Sequence, residues 1–466
     1  MAQSLAIPAA VATAALSTTH ALPRPRLSQV LWRLLVVQAV AWFFAAVWLL
    51  DLVGLRWLWH LARGQRESYQ RVTLPVALRL AFERLGPTYV KLGQLVASGE
   101  ALFPPRYSSE FQRCLDRVPP FPFTEVRATL EHELGKGVDR FRAIDSEPMA
   151  AASIAQVHAA TLDDGREVVI KVQRPRLLEL VSTDVVLMRL IARLSAWVSA
   201  RARQSHPEGI VDDFAQNLAE ELDFRNEARR MTEFNQVMRL MGTDSVAAPE
   251  VVRELSGPRV LTMERFRGVS VADTAAVKRS GFDGQERLRT GIRAWFQCLL
   301  VADFFHGDVH GGNFMLLDDG RIGFLDFGIV GTLPVERQAG VLEYVLAFQS
   351  RDFGRLGDAM IAIGAARAQV DRTAFTRDLE ELYSPMFDPS GAFRIADLVP
   401  NLMRLANRHQ LGLPRDLVLI SKQLVYLDRY SRALGGDKMN VLTDSRIREL
   451  LMEDMLRAAF ARQERG

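Results

Sequence analysis

Two short polar motifs carry the residues whose types and spacing could do chemistry: HGDVHGGNF at residues 306–314 and GFLDFG at residues 323–328. Asp308 and Asn313 are five residues apart, and Asp326 follows an apolar strand pattern. Phosphoryl transfer needs a carboxylate that orients the nucleophile and oxygen ligands that hold Mg²⁺ across the phosphates. The spacing is that of an H-x-D-x-x-x-x-N loop followed by a metal-binding aspartate, and it predicts this chemistry. The alternative is two polar turns that flank a β-hairpin without a ligand.

A site of this kind also needs a lysine for the α- and β-phosphates and an acidic partner for that lysine. Lys171 lies in the apolar strand pattern VVIKV, residues 168–172, where its charge requires a partner. Glu221, in the helical segment AEELDF, is the best candidate, and its neighbour Glu220 is the alternative.

The expected phosphate-binding loop carries Ala150, Ala151, Ala152 and Ser153 in place of glycines. Backbone N–H groups of such a loop can still cradle phosphates, although each Cβ narrows the approach. The alternative is a turn of small residues that binds no ligand.

Two absences bear on the phosphoryl acceptor. Gly307 stands where an H-R-D motif has arginine, so no cation there could pair with an activation-loop phosphate. After Gly328 the sequence passes through GTLP, residues 331–334, into a helix pattern without an A-P-E segment that could hold a peptide. Both features argue against a protein substrate.

An apolar run extends from Leu34 to Leu50, bounded by Arg33 and Asp51. Its 17 residues are at the low end for spanning a bilayer, and residues 52–58 could extend it. We interpret the run as a membrane anchor; a buried helix, or a hairpin lying in the interface, is the alternative. Arginines on both sides leave the orientation open, but dependence on ATP would place the C-terminal domain in the cytoplasm.

The composition excludes several classes of protein. Basic and acidic residues nearly balance, 58 against 55, so the overall charge does not indicate a nucleic-acid partner. Two cysteines, Cys114 and Cys298, cannot build a disulfide framework or a thiolate metal site, which favours reduced, cytosolic surroundings.

The patterns along the 466 residues predict an α+β fold with two kinase-like lobes, a small antiparallel sheet and a helical lobe, after a helical N-terminal extension. A DDG turn signal at residues 163–165 joins strand patterns at 154–160 and 167–172, and another short strand is predicted at 259–263. The predicted domains are, in chain order, a flexible tail at 1–28, a membrane-anchoring helix region at 29–66, a helical extension at 67–145, an N-lobe at 146–263 and a C-lobe at 264–466.

With these motifs the chain resembles the UbiB/AarF family of atypical kinases over roughly residues 82–444. The most specific likeness is LGPTYVKLGQ, residues 85–94, which is similar to the family's KxGQ signature. The alanine-rich loop and the E-x-D motif that begins at Glu221 are also similar. Gly93, inside the KxGQ segment, predicts the close approach of another backbone.

The resemblance implies that the KxGQ helices fold over the nucleotide, with Lys91 and Gln94 directed toward the phosphates. Backbone groups of a hinge at residues 263–266, MERF, would then bind adenine. Glu264 and Phe266 belong to this expected hinge.

The resemblance also implies catalytic roles. Lys171 would pair with Glu221, and Asp308 would sit at the catalytic-base position. Asn313 and Asp326 would hold Mg²⁺.

The cofactors implied by the resemblance are ATP, or ADP, and Mg²⁺. The implied activity is that of an ATPase or small-molecule kinase that supports isoprenoid-quinone or other lipid metabolism at a membrane. The implied partners are a nucleotide and a membrane lipid or quinone precursor, with no nucleic acid, and a homodimer stays open. The alternatives are a soluble small-molecule phosphotransferase and a non-catalytic nucleotide sensor that binds partners.

Three departures from the family pattern stand out. Residues 97–101, ASGEA, lack the arginine and aspartate of the usual S-T-R-P-D segment, and Val309 and Gly311 replace two prolines of the catalytic loop. Residues 450–466 are charged, whereas quinone-linked bacterial members tend to carry apolar helices there. We therefore expect that the physiological role can differ from ubiquinone synthesis while the core chemistry is shared.

Overall fold

The computed structural model describes residues 22–64, 69–98, 104–114, 119–199, 203, 206–301, 304–333, 335–364, 370–387 and 415–435, with shorter stretches between 401 and 411 and between 441 and 454. The described residues form two compact units. The first contains residues up to 225 together with 252–263, and the second contains residues 226–251 and those from 264 onward. One division falls between Met263 and Glu264, within the expected hinge. Most of the predicted tail lies outside the described residues.

The first unit begins with helices that precede its sheet. These are α1 (Leu27–Leu52), α2 (Leu55–Ala62), α3 (Leu74–Leu85), α4 (Pro87–Ser98), α5 (Pro105–Phe111) and α6 (Phe123–Leu134). Among the described residues, α1 is the helix long and apolar enough to cross a membrane. It ends at a turn in which Gly54 has a φ of 76°, a left-handed conformation that glycine adopts without strain. Residues 52–58, which could have extended the apolar run, therefore do not continue α1 as one helix.

The sheet of the first unit follows α6. Its strands are β1 (Phe141–Ile144), β2 (Ala150–Ala151), β3 (Ala155–Leu162), β4 (Glu167–Gln173) and, after β5 of the second unit (Val246–Ala247), β6 (Val260–Glu264). The order is β1-β3-β4-β6, with β2 beside β3, and β3 and β4 are antiparallel. The predicted hairpin is confirmed, and Gly165 at its turn has a φ of 88°.

Alternating residues of β3 and β4 bury one face of this sheet against α6, which contributes Val126 and Leu130 to the core. Long helices continue the chain: α7 (Leu177–Val198), α8 (Pro207–Glu221) and α9 (Phe224–Leu240).

The second unit contains helices and two small sheets, so the predicted helical lobe also has strands. One sheet has the order β5-β10-β9-β7, and the other pairs β11 with β8. The strands are β7 (Gly268–Ser270), β8 (Phe304–His306), β9 (Phe314–Leu317), β10 (Ile322–Phe324) and β11 (Val330–Thr332). The helices are α10 (Thr274–Arg279), α11 (Gly284–Val301), α12 (Val335–Ser350), α13 (Phe353–Ala362), α14 (Arg372–Tyr383) and α15 (Arg415–Gly435).

Candidate nucleotide and metal site

The loop at residues 306–313 connects β8 to β9 and is held by Gln423 of α15, whose side chain is fully buried. Nε2 of Gln423 donates to the carbonyl oxygen of Gly307 at 2.6 Å, and its Oε1 accepts from the N–H of Val309 at 2.9 Å. These bonds fix the backbone on both sides of Asp308. Sequence reasoning missed Gln423 because it lies far downstream in an ordinary helical pattern.

The buried ring of His306 joins this loop to the strand that leads to Asp326. Its Nδ1 accepts from the N–H of Asp308 at 3.1 Å, and its Nε2 donates to the carbonyl oxygen of Leu325 at 2.8 Å. Burial lowers the pKa of His306, so the imidazole is neutral at physiological pH. The neutral tautomer with hydrogen on Nε2 satisfies both contacts.

The two predicted metal ligands lie at the same end of the β9–β10 hairpin. Phe314 pairs with Phe324 across the hairpin, and the N–H of Leu325 donates to the carbonyl oxygen of Asn313 at 2.8 Å. Asp326 is the next residue, and its backbone φ of 55° is uncommon for a residue other than glycine. The register therefore brings Asn313 and Asp326 close together.

The side chains of this pair have oxygen atoms suited to a hard cation. Nδ2 of Asn313 donates to the carbonyl oxygen of Asp308 at 3.1 Å, so its amide oxygen is the atom that could coordinate a metal ion. The carboxylate of Asp326 is exposed, and its Oδ1 accepts from the N–H of Gly328 at 3.2 Å. Mg²⁺ is commonly held by one or two such protein ligands together with substrate phosphates and water, so these residues fit it.

Two cationic or titratable groups lie near the carboxylate of Asp308. Nζ of Lys422 is 3.8 Å from its Oδ1, and Nε2 of His310 is 3.7 Å from its Oδ2. Lys422 was also missed from the sequence, because no motif marks it.

Packing accounts for two of the unusual glycines in this loop. A Cβ at Gly307 would lie 3.1 Å from side-chain atoms of Ile329 and Leu419. A Cβ at Gly311 would lie 2.3 Å from the Cβ of Ala272. The neighbouring side chains therefore leave little room for an arginine at position 307 or a proline at position 311.

In the first unit, Lys171 lies on β4 opposite Val157, with Nζ 5.4 Å from the ring centroid of Phe224. Glu221, at the end of α8, forms an ion pair with Lys91 of the KxGQ helix α4. The side chains of this pair are 13% and 20% exposed, respectively. The sequence predicted Lys171 as the partner of Glu221. In the structure the partner of Glu221 is Lys91, because α4 supplies an ammonium group from a distant part of the chain.

The alanine-rich segment is a tight hairpin. β2 pairs with β3, and the N–H of Ala152 donates to the carbonyl oxygen of Ala155 at 2.8 Å. Arg174 donates from Nε to the carbonyl oxygen of Ala152 and from Nη2 to that of Pro119, each at 2.9 Å. Ser153 is buried. The backbone of the predicted cradle is thus held by hydrogen bonds, and its phosphate binding stays a prediction.

The KxGQ helix is packed by side chains at Gly93. A Cβ there would lie 2.9 Å from the ring of Phe111 and 3.1 Å from Sγ of Cys114. The expected approach of another backbone is therefore wrong, because side chains from α5 and the following turn fill the space. Gln94, the next residue, is half-buried.

The expected hinge includes the end of β6. The N–H of Glu264 donates to the carbonyl oxygen of Glu250 at 2.8 Å, so this group is not free for adenine. Oε1 of Glu264 accepts from Nη2 of Arg321 at 2.7 Å. The ring of Phe266 lies against Gly323, where a Cβ would come within 2.7 Å of it. Adenine binding by the remaining hinge groups stays a prediction.

Comparison with known proteins identifies the family that has these motifs. Residues 113–360 match the family described as the ABC1 atypical kinase-like domain. An uncharacterised aarF domain-containing protein kinase of Arabidopsis thaliana, described as chloroplastic, is 37% identical over 80% of this chain and 74% of its own length. A probable protein kinase UbiB of Pseudomonas entomophila is 33% identical over 85% of this chain and 73% of its own length.

A solved structure also resembles the chain. The protein Rv3197 of Mycobacterium tuberculosis, in its complex with erythromycin, is 25% identical and matches with a TM-score of 0.54. The match covers 76% of this chain and 90% of that protein. Together with the two units described above, these comparisons confirm the predicted bilobal kinase-like α+β fold.

Proposed function

The chain belongs to the ABC1/UbiB family of atypical kinase-like proteins, and from that premise we propose that it is a membrane-associated enzyme that binds Mg-ATP and acts on its γ-phosphoryl group. The observation that carries the proposal is the common end of the β9–β10 hairpin, where Asn313 and Asp326 lie beside a loop that holds Asp308. A bound Mg²⁺ would neutralise charge on the β- and γ-phosphates.

The residues of this chain would then divide the work. Asn313 and Asp326 supply oxygen ligands, while Gln423 and neutral His306 keep the loop in place. Asp308 would orient an acceptor hydroxyl or a water molecule by accepting its proton. In the first unit, Lys171 would bind the α- and β-phosphates.

We further propose that the enzyme phosphorylates a lipid-soluble molecule, such as an isoprenoid-quinone precursor, or uses ATP hydrolysis to support the metabolism of such a molecule. The exposed apolar helix α1 and the family membership support this, and both argue against the soluble phosphotransferase. After Gly328 the sequence has no A-P-E segment to hold a peptide substrate.

The proposal is tested by Mg-dependent ATP turnover of the full chain, with and without liposomes and a phenolic quinone precursor. We expect turnover in the parent and a loss of at least about 100-fold in Asp308→Asn and Asp326→Asn. The matched control is Asp319→Asn, an exposed turn aspartate in the same unit, which should turn over ATP like the parent. Undiminished turnover in Asp326→Asn would refute the proposed enzyme.

A second candidate, a non-catalytic nucleotide sensor, is favoured by one observation. The ion pair with Lys91 engages Glu221, the acid expected to support Lys171. In a sensor this arrangement would persist with nucleotide bound. ATP binding without hydrolysis in both the parent and Lys91→Ala would support the sensor, whereas turnover gained in Lys91→Ala would identify the pair as a restraint on an enzyme.

A further inference from the structure

The described surface of the first unit carries a large apolar region on α1 and α2. Its exposed residues include Trp32, Trp42, Phe43, Leu49 and Trp57. Soluble monomers rarely expose so many large apolar side chains together. The region is therefore expected to bind a partner.

Arg33, a charged residue near the start of α1, is turned inward. Its Nε donates to Oδ1 of buried Asp184 on α7 at 2.6 Å, and its Nη2 donates to the carbonyl oxygen of Leu85 at 2.7 Å. The start of α1 is thus attached to α7 and to the end of α3.

Asp51, the other charged residue of α1, is also turned inward. Its Oδ2 accepts from the N–H of Val72 and from Nη1 of Arg56, each at 2.6 Å. Val72 lies two residues before α3, and Arg33 contacts the end of α3 at Leu85, so α3 runs antiparallel beside α1. The two polar attachments, at Arg33 and Asp51, are about 27 Å apart along the helix, close to the roughly 30 Å of a bilayer's hydrocarbon core.

This attachment is incompatible with a simple bilayer crossing. If α1 spanned, α3 would enter the hydrocarbon beside it, together with Arg79, Glu83 and exposed Arg84. Nη1 of Arg79 is 2.8 Å from Oε1 of Glu83, and charged side chains are costly at that depth. A helix held at both ends by one folded unit fits a position in the plane of the interface instead.

The second half of α7 continues the apolar surface. Asp184, Ile191 and Val198 follow one another at intervals of seven residues, so they share a helix face. Asp184 receives Arg33, while Ile191 and Val198 are exposed on that face, and exposed Leu194 adjoins it. The face of α7 that contacts α1 thus remains apolar beyond the contact.

The charge near this surface indicates which partner it fits. Residues 22–64 contain five arginines and one aspartate. Arg24, Arg26 and Arg63 are exposed, and the guanidinium of Arg63 lies 4.0 Å from the ring centroid of Trp59. Arginine and tryptophan at the edge of an apolar face are typical of contact with anionic lipid headgroups.

We propose that α1, α2 and the second half of α7 form one surface that binds a leaflet containing anionic phospholipid, with α1 lying in the interface and not crossing the bilayer. This inference rests on the membrane association in the proposed function and specifies its geometry.

Depth measurements test the geometry. A fluorophore is attached in turn to Leu31→Cys, Gln38→Cys and Leu49→Cys of the full chain, whose own Cys114 and Cys298 are buried. Quenching is measured in vesicles of phosphatidylcholine, with and without phosphatidylglycerol, that carry lipid quenchers at graded depths. We expect the three positions to lie at one shallow depth, with tighter binding when phosphatidylglycerol is present.

The possible outcomes separate the two proposals. A probe at Gln38 about 10 Å deeper than those at Leu31 and Leu49 would mean that α1 spans, which overturns this inference but leaves membrane association intact. No vesicle binding would overturn both. The fluorophores could instead be shielded from water in the absence of vesicles, to a degree that rises with protein concentration. That result would show that a second copy of the chain covers the surface, and it would also overturn the inference.

The contribution of α7 has its own matched pair of variants. Ile191→Glu places a charge in the proposed surface, whereas Leu178→Glu places one on the other side of the same helix at a residue that is also exposed. We expect vesicle affinity to fall by about tenfold or more in Ile191→Glu and by less than about twofold in Leu178→Glu. Equal affinities for these two variants would overturn the assignment of α7 to the surface.

Discussion

Gln423 is expected to hold the catalytic loop, and Gln423→Met tests this. Methionine has a similar volume, so the change removes the two hydrogen bonds to the loop, and a longer one to the carbonyl oxygen of Leu419, without opening a cavity. The carbonyl oxygen of Gly307 and the N–H of Val309 then lose their partner in a buried environment. Each of these two unsatisfied buried groups costs about 1–3 kcal/mol, so the free energy of unfolding should fall by about 2–6 kcal/mol.

The same change should reduce ATP turnover, because the two lost bonds flank Asp308. A displacement of a catalytic group by about 1 Å can cost about 100-fold in rate, so we expect a loss of about 10- to 100-fold in the folded enzyme. Stability is measured by urea denaturation in detergent, and turnover is measured well below the denaturation midpoint.

The control for Gln423→Met is Thr243→Val, a change of nearly equal volume elsewhere in the same unit. It removes a buried hydroxyl that donates to Oε1 of Gln297 at 2.9 Å. We expect this variant to lose about 1–2 kcal/mol of stability but to keep its turnover within about twofold. Parental stability and turnover in Gln423→Met would refute the reasoning, as would an equal loss of turnover in Thr243→Val.

Contacts within each unit give three further predictions. The Lys91–Glu221 ion pair is partly buried, so its two side chains should stabilise the protein jointly. A double-mutant cycle with Lys91→Met and Glu221→Gln, measured by urea denaturation, should give a coupling free energy of about 1–2 kcal/mol. A coupling free energy near zero would contradict the pairing. Burial lowers the pKa of His306 below its ordinary 6.5, so its contribution to stability should be present above pH 6.5 and lost as the pH falls below that value, by at most about 1.4 kcal/mol per pH unit. His306→Gln should flatten this part of the stability–pH curve, and an unchanged slope would exclude that role. Gly311→Ala should cost about 1–3 kcal/mol in thermal unfolding through overlap with Ala272, and parental stability would contradict the packing.

The sequence predicted best the features that depend on local spacing. The β3–β4 hairpin follows from alternating apolar residues and a glycine turn, and both are local. The strand pattern before Asp326 likewise predicted β10, whose pairing with β9 sets Asn313 beside Asp326. The family resemblance rested on motifs of the same local kind.

Contacts between distant parts of the chain could not be predicted in this way. Lys91 and Glu221 are separated by 130 residues, and Arg33 and Asp184 by 151, so only tertiary packing selects these partners. The continuous apolar run identified this segment, but it could not show that both charged residues of α1 contact the folded unit. Gln423 is similar, because a buried glutamine in a helix carries no sequence signal until its backbone partners are known.

The central claim is that Asn313 and Asp326 together hold the divalent cation that accompanies ATP. Its most direct test is electron paramagnetic resonance of Mn²⁺ with a non-hydrolysable ATP analogue, titrated against the parent, Asn313→Ala, Asp326→Asn and the control Asp319→Asn. We expect Mn²⁺ binding to weaken by at least about tenfold in Asn313→Ala and Asp326→Asn and to stay at the parental value in the control. Parental Mn²⁺ affinity in both Asn313→Ala and Asp326→Asn would contradict it.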